Sequence, residues 1–224
     1  MMKKLFIGFA ITLLLIIVAI IASFQKNEDK ESIANGQRLY NQLCLNCHGE
    51  TGAGEGALIG TSINNQHFLS TFSNSDIKSM IENGRVAAMM PAYLELKEEE
   101  KEDLVSFIRS WQSKPLTLNA PSSIEGNAGK GNALYTSNCM TCHGKTGSGF
   151  ATAAAAIGNP DTLKQLSDKQ IWLTIAYGRE GTRMGPSLKG EDGVKQLEEQ
   201  EISDIVIYIR NELTKQYNPS ETRP

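Results

Sequence analysis

Twenty consecutive positions from Leu5 to Phe24, LFIGFAITLLLIIVAIIASF, carry no charge, and Lys3 and Lys4 stand directly before them. At about 1.5 Å per residue such a run makes a helix of roughly 30 Å, the thickness of a bilayer core. Basic residues ahead of it predict that this end stays in the cytoplasm and the rest of the chain lies outside. The alternative is a cleaved signal peptide, whose apolar core is only about 7–15 residues long and ends at a small-x-small site. Ala19 and Ala22 make a weak site of that kind before Ser23, so an uncleaved single-pass anchor is the preferred reading. The charged stretch Gln25–Glu31 then reads as a tether. Beyond it the pattern becomes amphipathic. Apolar positions at 33, 39, 40 and 43 predict a helix over Ile33–Leu43, with Ser32 as its N-cap. Leu104, Val105, Phe107, Ile108 and Trp111 follow the acidic run Glu98–Asp103, and negative charge favours a helix start. Ile202–Leu213 repeats that arrangement. Alternation of the strand type is scarce, so the expected class is all-α.

The same landmarks recur in the same order in both halves. Gly36-Gln-Arg-Leu-Tyr40 is matched by Gly131-Asn-Ala-Leu-Tyr135. Gly49-Glu-Thr-Gly-Ala-Gly54 is matched by Gly144-Lys-Thr-Gly-Ser-Gly149. Ile81-Glu-Asn-Gly-Arg85 is matched by Ile175-Ala-Tyr-Gly-Arg179. Asp103–Arg109 is matched by Asp204–Arg210. A duplicated unit explains this better than one mixed domain. The expected division is an anchor and tether over 1–31, a first unit over 32–112, a linker over 113–124, a second unit over 125–215 and a tail over 216–224. Pro115, Pro121 and three serines give the linker its character, and Leu116 and Leu118 offer it packing contacts.

The chain has four cysteines and three histidines. Cys44-Leu-Asn-Cys47-His48 and Cys139-Met-Thr-Cys142-His143 use all of the former and two of the latter. Cys-x-x-Cys-His is the pattern of covalent c-type haem attachment: two thioether bonds to the porphyrin, then a histidine placed under the iron. Two redox-active disulfides, or one zinc site drawing a cysteine pair from each half, would leave both histidines unexplained. Two covalently attached haem c groups are therefore expected.

Each iron then needs a ligand on its other face, and methionine is the usual partner of histidine in an electron-transferring haem. Gly84-Arg85 is followed by Met89, Met90 and Pro91; Gly178-Arg179 is followed by Met184, Gly185 and Pro186. Counting from the glycine selects Met90 and Met184, whereas counting back from the proline selects Met89 and Met184. Met80 reads as a core residue. His67, a rival ligand for the first iron, aligns near Asp161 and reads instead as a polar surface residue. Arg85 and Arg179, at matching places in the repeat, are candidate donors to haem propionates.

These residues resemble class I c-type cytochromes, above all two-domain diheme cytochromes and the c-type subunits of cbb-type haem-copper oxidases. The resemblance covers roughly residues 32–112 and 125–215. It implies two tandem cytochrome c domains after an N-terminal transmembrane helix. It also implies that first and last helices cross at Gly36 and Gly131, against Phe107 and Tyr208. The site residues carried over are Cys44, Cys47, His48 and Met90, then Cys139, Cys142, His143 and Met184. The implied role is single-electron carriage between a quinol-oxidising complex and a terminal oxidase or reductase. The chain would sit in the cytoplasmic (inner) membrane through Leu5–Phe24, with its haem domains on the periplasmic side.

Net charge is −3, and no nucleic-acid partner is expected. Residues 31–112 hold six basic and eleven acidic side chains, a net −5, while residues 125–215 hold ten and eleven, a net −1. Arg179 and Arg183 flank the second methionine and mark a docking surface for an acidic partner. A diheme enzyme of the peroxidase or thiosulfate-oxidising type is the competing class. It would need an open iron position and acid–base groups above it, and no such constellation stands out, so a non-enzymatic carrier is the expectation.

Overall fold

A computed structural model describes residues 2–56, 61–85, 90–149 and 154–221, with side chains from residue 13 onward. The chain is predominantly helical. Among the described residues, pairing of the strand type is limited to isolated bridges, such as Arg85 with Met90 and Leu188 with Leu197.

The first helix, α1 (Met2–Leu43), runs without a break through the apolar segment, the charged stretch and Ser32. The expected tether is thus helical, and Ser32 is no cap, because nothing between Gln25 and Ser32 interrupts helical geometry: there is neither proline nor glycine. Residues 5–12 of the expected span lie outside the described side chains. Among the described residues no helix is long and apolar enough to cross a membrane.

In the first unit, short α2 (Leu45–His48) carries the haem motif, followed by α3 (Gln66–Thr71), α4 (Asn74–Asn83) and α5 (Glu98–Ser110). The second unit repeats the series as α6 (Ala128–Asn138), α7 (Met140–His143), α8 (Pro160–Lys164), α9 (Asp168–Tyr177) and α10 (Glu199–Tyr208). The duplication extends to capping. Ser73 and Asp76 form a reciprocal box at the start of α4, and Ser167 and Gln170 do the same for α9. Each unit has its own core: Leu39, Tyr40, Phe68, Leu104 and Phe107 in one, Tyr135, Trp172, Ile202, Ile205 and Tyr208 in the other.

Each unit closes where its first and last helices cross. A Cβ on Gly36 would lie 1.9 Å from the Asp103 carbonyl oxygen, and one on Gly131 would lie 2.0 Å from that of Asp204. Tyr40 packs on Phe107 with ring centroids 5.2 Å apart, and Tyr135 on Tyr208 at 5.4 Å. The Tyr40 hydroxyl donates to the Gly49 carbonyl at 2.6 Å, and Tyr135 donates to Gly144 at the same distance. The aromatic on the first helix thereby pins the loop leaving the haem motif.

The closing helices also lock the middle of each unit. Arg109 donates to the carbonyls of Leu69 and Phe72 and, at 2.6 Å, to Asn74 Oδ1. Arg210 donates to the carbonyls of Leu163 and Leu166 and, at 2.6 Å, to Asp168 Oδ1. One guanidinium thus satisfies carbonyls left open at the end of a short helix and ties them to the start of the next. Arg210→Met should lower the stability of the second unit by about 3 kcal/mol, because charged hydrogen bonds are lost and acceptors stranded. Thermal unfolding checks this, with Arg210→Lys expected to lose less.

The end of the second unit departs from the expected helix over Ile202–Leu213. After α10 comes a π-helical turn, Ile209–Leu213, and then α11 (Thr214–Gln216). The reason is local packing. In the first unit Trp111, two residues past Arg109, fills the space beside Gly52, 2.6 Å from where a Cβ would stand. The second unit has no tryptophan there. Leu213, three residues past Arg210, serves instead beside Gly147, and the wider turn takes up the extra residue. The tail then folds back: Ser148 Oγ donates to the Asn218 carbonyl at 2.6 Å, and Thr146 Oγ1 donates to Glu221 at 2.9 Å.

The linker is fixed to both units. Leu116 N–H donates to Ser70 Oγ at 3.0 Å, the Tyr177 hydroxyl bonds both the N–H and the carbonyl of Asn119, and Leu118 packs on the second core. The units also meet directly. Asn65 Nδ2 donates to the Glu180 carbonyl, Gln165 Nε2 donates to the Gly84 carbonyl at 3.1 Å, and Leu166 packs on both cores. Each of these bonds joins the middle of one unit to the methionine loop of the other.

Candidate haem sites

Cys44 and Cys139 sit where the long helices α1 and α6 give way to the one-turn helices α2 and α7. That turn brings the second cysteine and the histidine to the same side as the first. His48 Nδ1 lies 2.8 Å from the Thr61 carbonyl, and His143 Nδ1 lies 3.0 Å from that of Ala155. A carbonyl only accepts, so Nδ1 carries the proton and Nε2 keeps its lone pair for a metal. Burial lowers both imidazole pKa values, which further favours the neutral, ligating form.

Burial also pushes the Cys44 thiol up to about 12, with Cys47 adding to the effect, and raises Cys139. Such thiols are poor partners for disulfide exchange. Among the described residues no group of three or more His, Cys, Asp or Glu side chains converges on a metal-sized site.

The methionine loops fold alike. Arg85 N–H donates to the Met90 carbonyl at 2.8 Å, and Arg179 N–H donates to that of Met184 at 2.7 Å. Gly84 and Gly178 take φ of +63° and +65°, a region open to glycine. A Cβ on either would meet the Met90 or Met184 carbonyl oxygen, at 2.7 and 2.4 Å. Met90 and Met184 therefore hold equivalent backbone positions, and each packs against the core of its own unit. Met89 lies outside the described residues. Met80 is buried in the first core, as expected.

Two expectations about charge and polarity are corrected. Arg179 is not on a docking surface: its guanidinium carbon lies 5.7 Å from the centre of the Phe68 ring, inside the contact between the units. Only Arg183 is exposed. His67 is no free surface residue either. Its ring is 6.3 Å from that of Tyr177 across the same contact, and its Nδ1 is buried without a partner. Both changes follow from α3 packing on α9, a juxtaposition that neither repeat predicts alone.

Arg85 reaches the same place. Its Nε and Nη2 are buried without a hydrogen-bond partner, and burial beside Arg179 lowers it to about 10. Two cations in one low-dielectric contact, neither with a carboxylate among the described residues, require anions to stand there. Haem propionates are anions of the right kind. The orphaned Arg85 atoms and the paired histidine geometry both fit haem.

Comparison with known proteins agrees with this geometry. Residues 31–108 match the family model of cytochrome c oxidase, cbb3-type, subunit III, and residues 128–212 match that of cytochrome c. The cbb3-type cytochrome c oxidase subunit CcoP of Azospirillum sp. (strain B510) is 26% identical over 200 residues, 80% of this chain and 62% of its own. The CcoP of Azospirillum brasilense is 25% identical over 211 residues, 85% of this chain and 66% of its own. The chain thus spans just under two thirds of the length of these relatives. In the solved reducing HAO-like protein complex of Kuenenia stuttgartiensis, one chain shares the fold. Its TM-score is 0.52 at 19% identity, over 82% of this chain and 96% of that one.

Proposed function

We propose that this diheme c-type cytochrome, two tandem cytochrome c domains each with a covalently bound haem c, carries single electrons between redox proteins at a membrane. Its relatives are named as subunits of cbb3-type cytochrome c oxidase; we take a terminal oxidase as the electron acceptor and a quinol-oxidising complex as the donor. The observation that carries the reading is the duplicated histidine geometry, with each Nδ1 fixed to a backbone carbonyl and each Nε2 left free.

When bound, haem c supplies a one-electron ferric–ferrous couple. The chain's own residues do the rest. Cys44, Cys47, Cys139 and Cys142 would hold the group covalently, His48 and His143 would offer it nitrogen, and Met90 and Met184 would offer it sulfur. The equivalent Arg85–Met90 and Arg179–Met184 pairings support Met90 over Met89. Arg85 and Arg179, gathered at the contact between the domains, would neutralise haem propionates.

The anchor belongs to the same proposal. From Leu13 to Phe24 the helix exposes large apolar side chains all round, among them Leu14 at 61%, Leu15 at 63% and Phe24 at 67%. A helix apolar on every side is stable only in an apolar surrounding. We place the domains on the periplasmic face, where Lys3 and Lys4 would send them.

A carrier and an enzyme differ in iron accessibility. The purified full chain should take up two electrons per molecule in an anaerobic titration, remain low-spin and bind cyanide slowly. Rapid cyanide binding with turnover of hydrogen peroxide would favour the diheme enzyme instead.

A further inference from the structure

The two haem motifs repeat the same backbone hydrogen bonds, yet one position beside them differs in charge. In the first domain the Tyr93 hydroxyl donates at 2.9 Å to the carbonyl of Leu43, the residue just before Cys44. In the second domain the matching carbonyl, that of Asn138 just before Cys139, is bonded by the ammonium of Lys195. A neutral phenol and a cation thus do the same mechanical work at equivalent points. The loop that delivers Lys195, between Met184 and α10, is longer than its counterpart between Met90 and α5.

Lys195 is half-buried and makes no ion pair among the described residues, so its charge is not cancelled locally. That charge is held one residue before Cys139, at the start of the haem-binding turn. In the first domain the equivalent carbonyl is met by an uncharged hydroxyl. The domain charges lean the same way, −5 for the first and −1 for the second.

We propose that Lys195 sets the second haem at a higher potential than the first, so that electrons enter through the first domain and collect in the second. The physical reason is elementary. Reduction lowers the positive charge at the iron by one, so a fixed cation nearby favours the reduced form. This rests on the carrier reading above and adds a direction to it.

The test is a spectroelectrochemical titration of the full chain, resolving two midpoints. Lys195→Met should shift the upper midpoint down by about tenfold in the reduction equilibrium, about 59 mV for one electron, and leave the lower one in place. Lys195→Arg, which keeps the charge, should restore it. As a second arm, Tyr93→Lys should raise the lower midpoint by a similar factor, closing the gap from below. Counting covalent haems in every variant keeps the two claims apart. Two haems per chain with midpoints unmoved by Lys195→Met and by Tyr93→Lys would overturn the inference and leave the carrier standing. So would an arginine variant displaced as far as the methionine one. Fewer than two haems in the unmutated chain would overturn the carrier reading itself.

Discussion

Gly131→Ala should destabilise the second domain by about 3 kcal/mol or more while leaving the first intact. The new Cβ would stand 2.0 Å from the Asp204 carbonyl oxygen, 2.6 Å from its carbon and 2.7 Å from Tyr208 Cβ. No rotamer change relieves contacts of this kind, because two of them are with backbone. The helices α6 and α10 must move apart. Separation breaks the contact between Tyr135 and Tyr208 and admits water beside Ile205 and Val206, both fully buried. Overpacking typically costs about 1–3 kcal/mol and sometimes more, which is a large share of a small domain's stability. Gly129→Ala is the control. On the same helix its Cβ would meet only Asn127 Oδ1, at 3.1 Å. That variant should be neutral or stabilised by up to about 1 kcal/mol through helix propensity. Hydrogen exchange resolves the domains: α6 and α10 should lose protection in Gly131→Ala, and α1 and α5 should keep theirs.

Removal of either methionine should have the largest spectroscopic effect. Met90→Ala and Met184→Ala should each halve the long-wavelength thioether-to-ferric-iron band, and the double variant should lose it entirely. The affected centre should become high-spin and bind cyanide readily, with a lower potential, since a thioether ligand raises it. Met89→Ala should leave the band whole. The reason lies in the backbone register: four residues separate Arg85 from Met90 and Arg179 from Met184, and in both pairs the first residue's N–H donates to the second's carbonyl. A band lost in Met89→Ala and kept in Met90→Ala would reverse that assignment.

Much of this molecule was legible in the sequence because duplication made each feature its own control. Gly36 and Gly131 stand at one distance from their motifs, and both prove to be points where no Cβ fits. Phe107 and Tyr208 face them. The methionine register, ambiguous when counted from Gly84 or from Pro91, was open only because proline stands one residue after Met90 but two after Met184. What the sequence concealed arises between elements. Periodicity has no means of registering a one-residue insertion such as the π-helical turn after Tyr208, whose cause is a leucine replacing a tryptophan beside Gly147. Nor does a repeat within one unit reveal what the units do to each other. Arg179 and His67 looked solvent-facing because their own segments are polar, and they are enclosed only because α3 packs on α9. The charged stretch before Ile33 looked like a break because it is hydrophilic, but hydrophilic residues without proline or glycine continue a helix readily. Lys195 lies in a loop with no counterpart, where internal comparison has nothing to align.

The account depends on both Cys-x-x-Cys-His motifs holding haem covalently, and counting covalent haem on the purified polypeptide tests it most directly. Two haems per chain that resist extraction into acidified organic solvent, one lost in Cys44→Ser/Cys47→Ser and the other in Cys139→Ser/Cys142→Ser, is the predicted result. A chain from which either haem is extracted, or which carries only one, would contradict it.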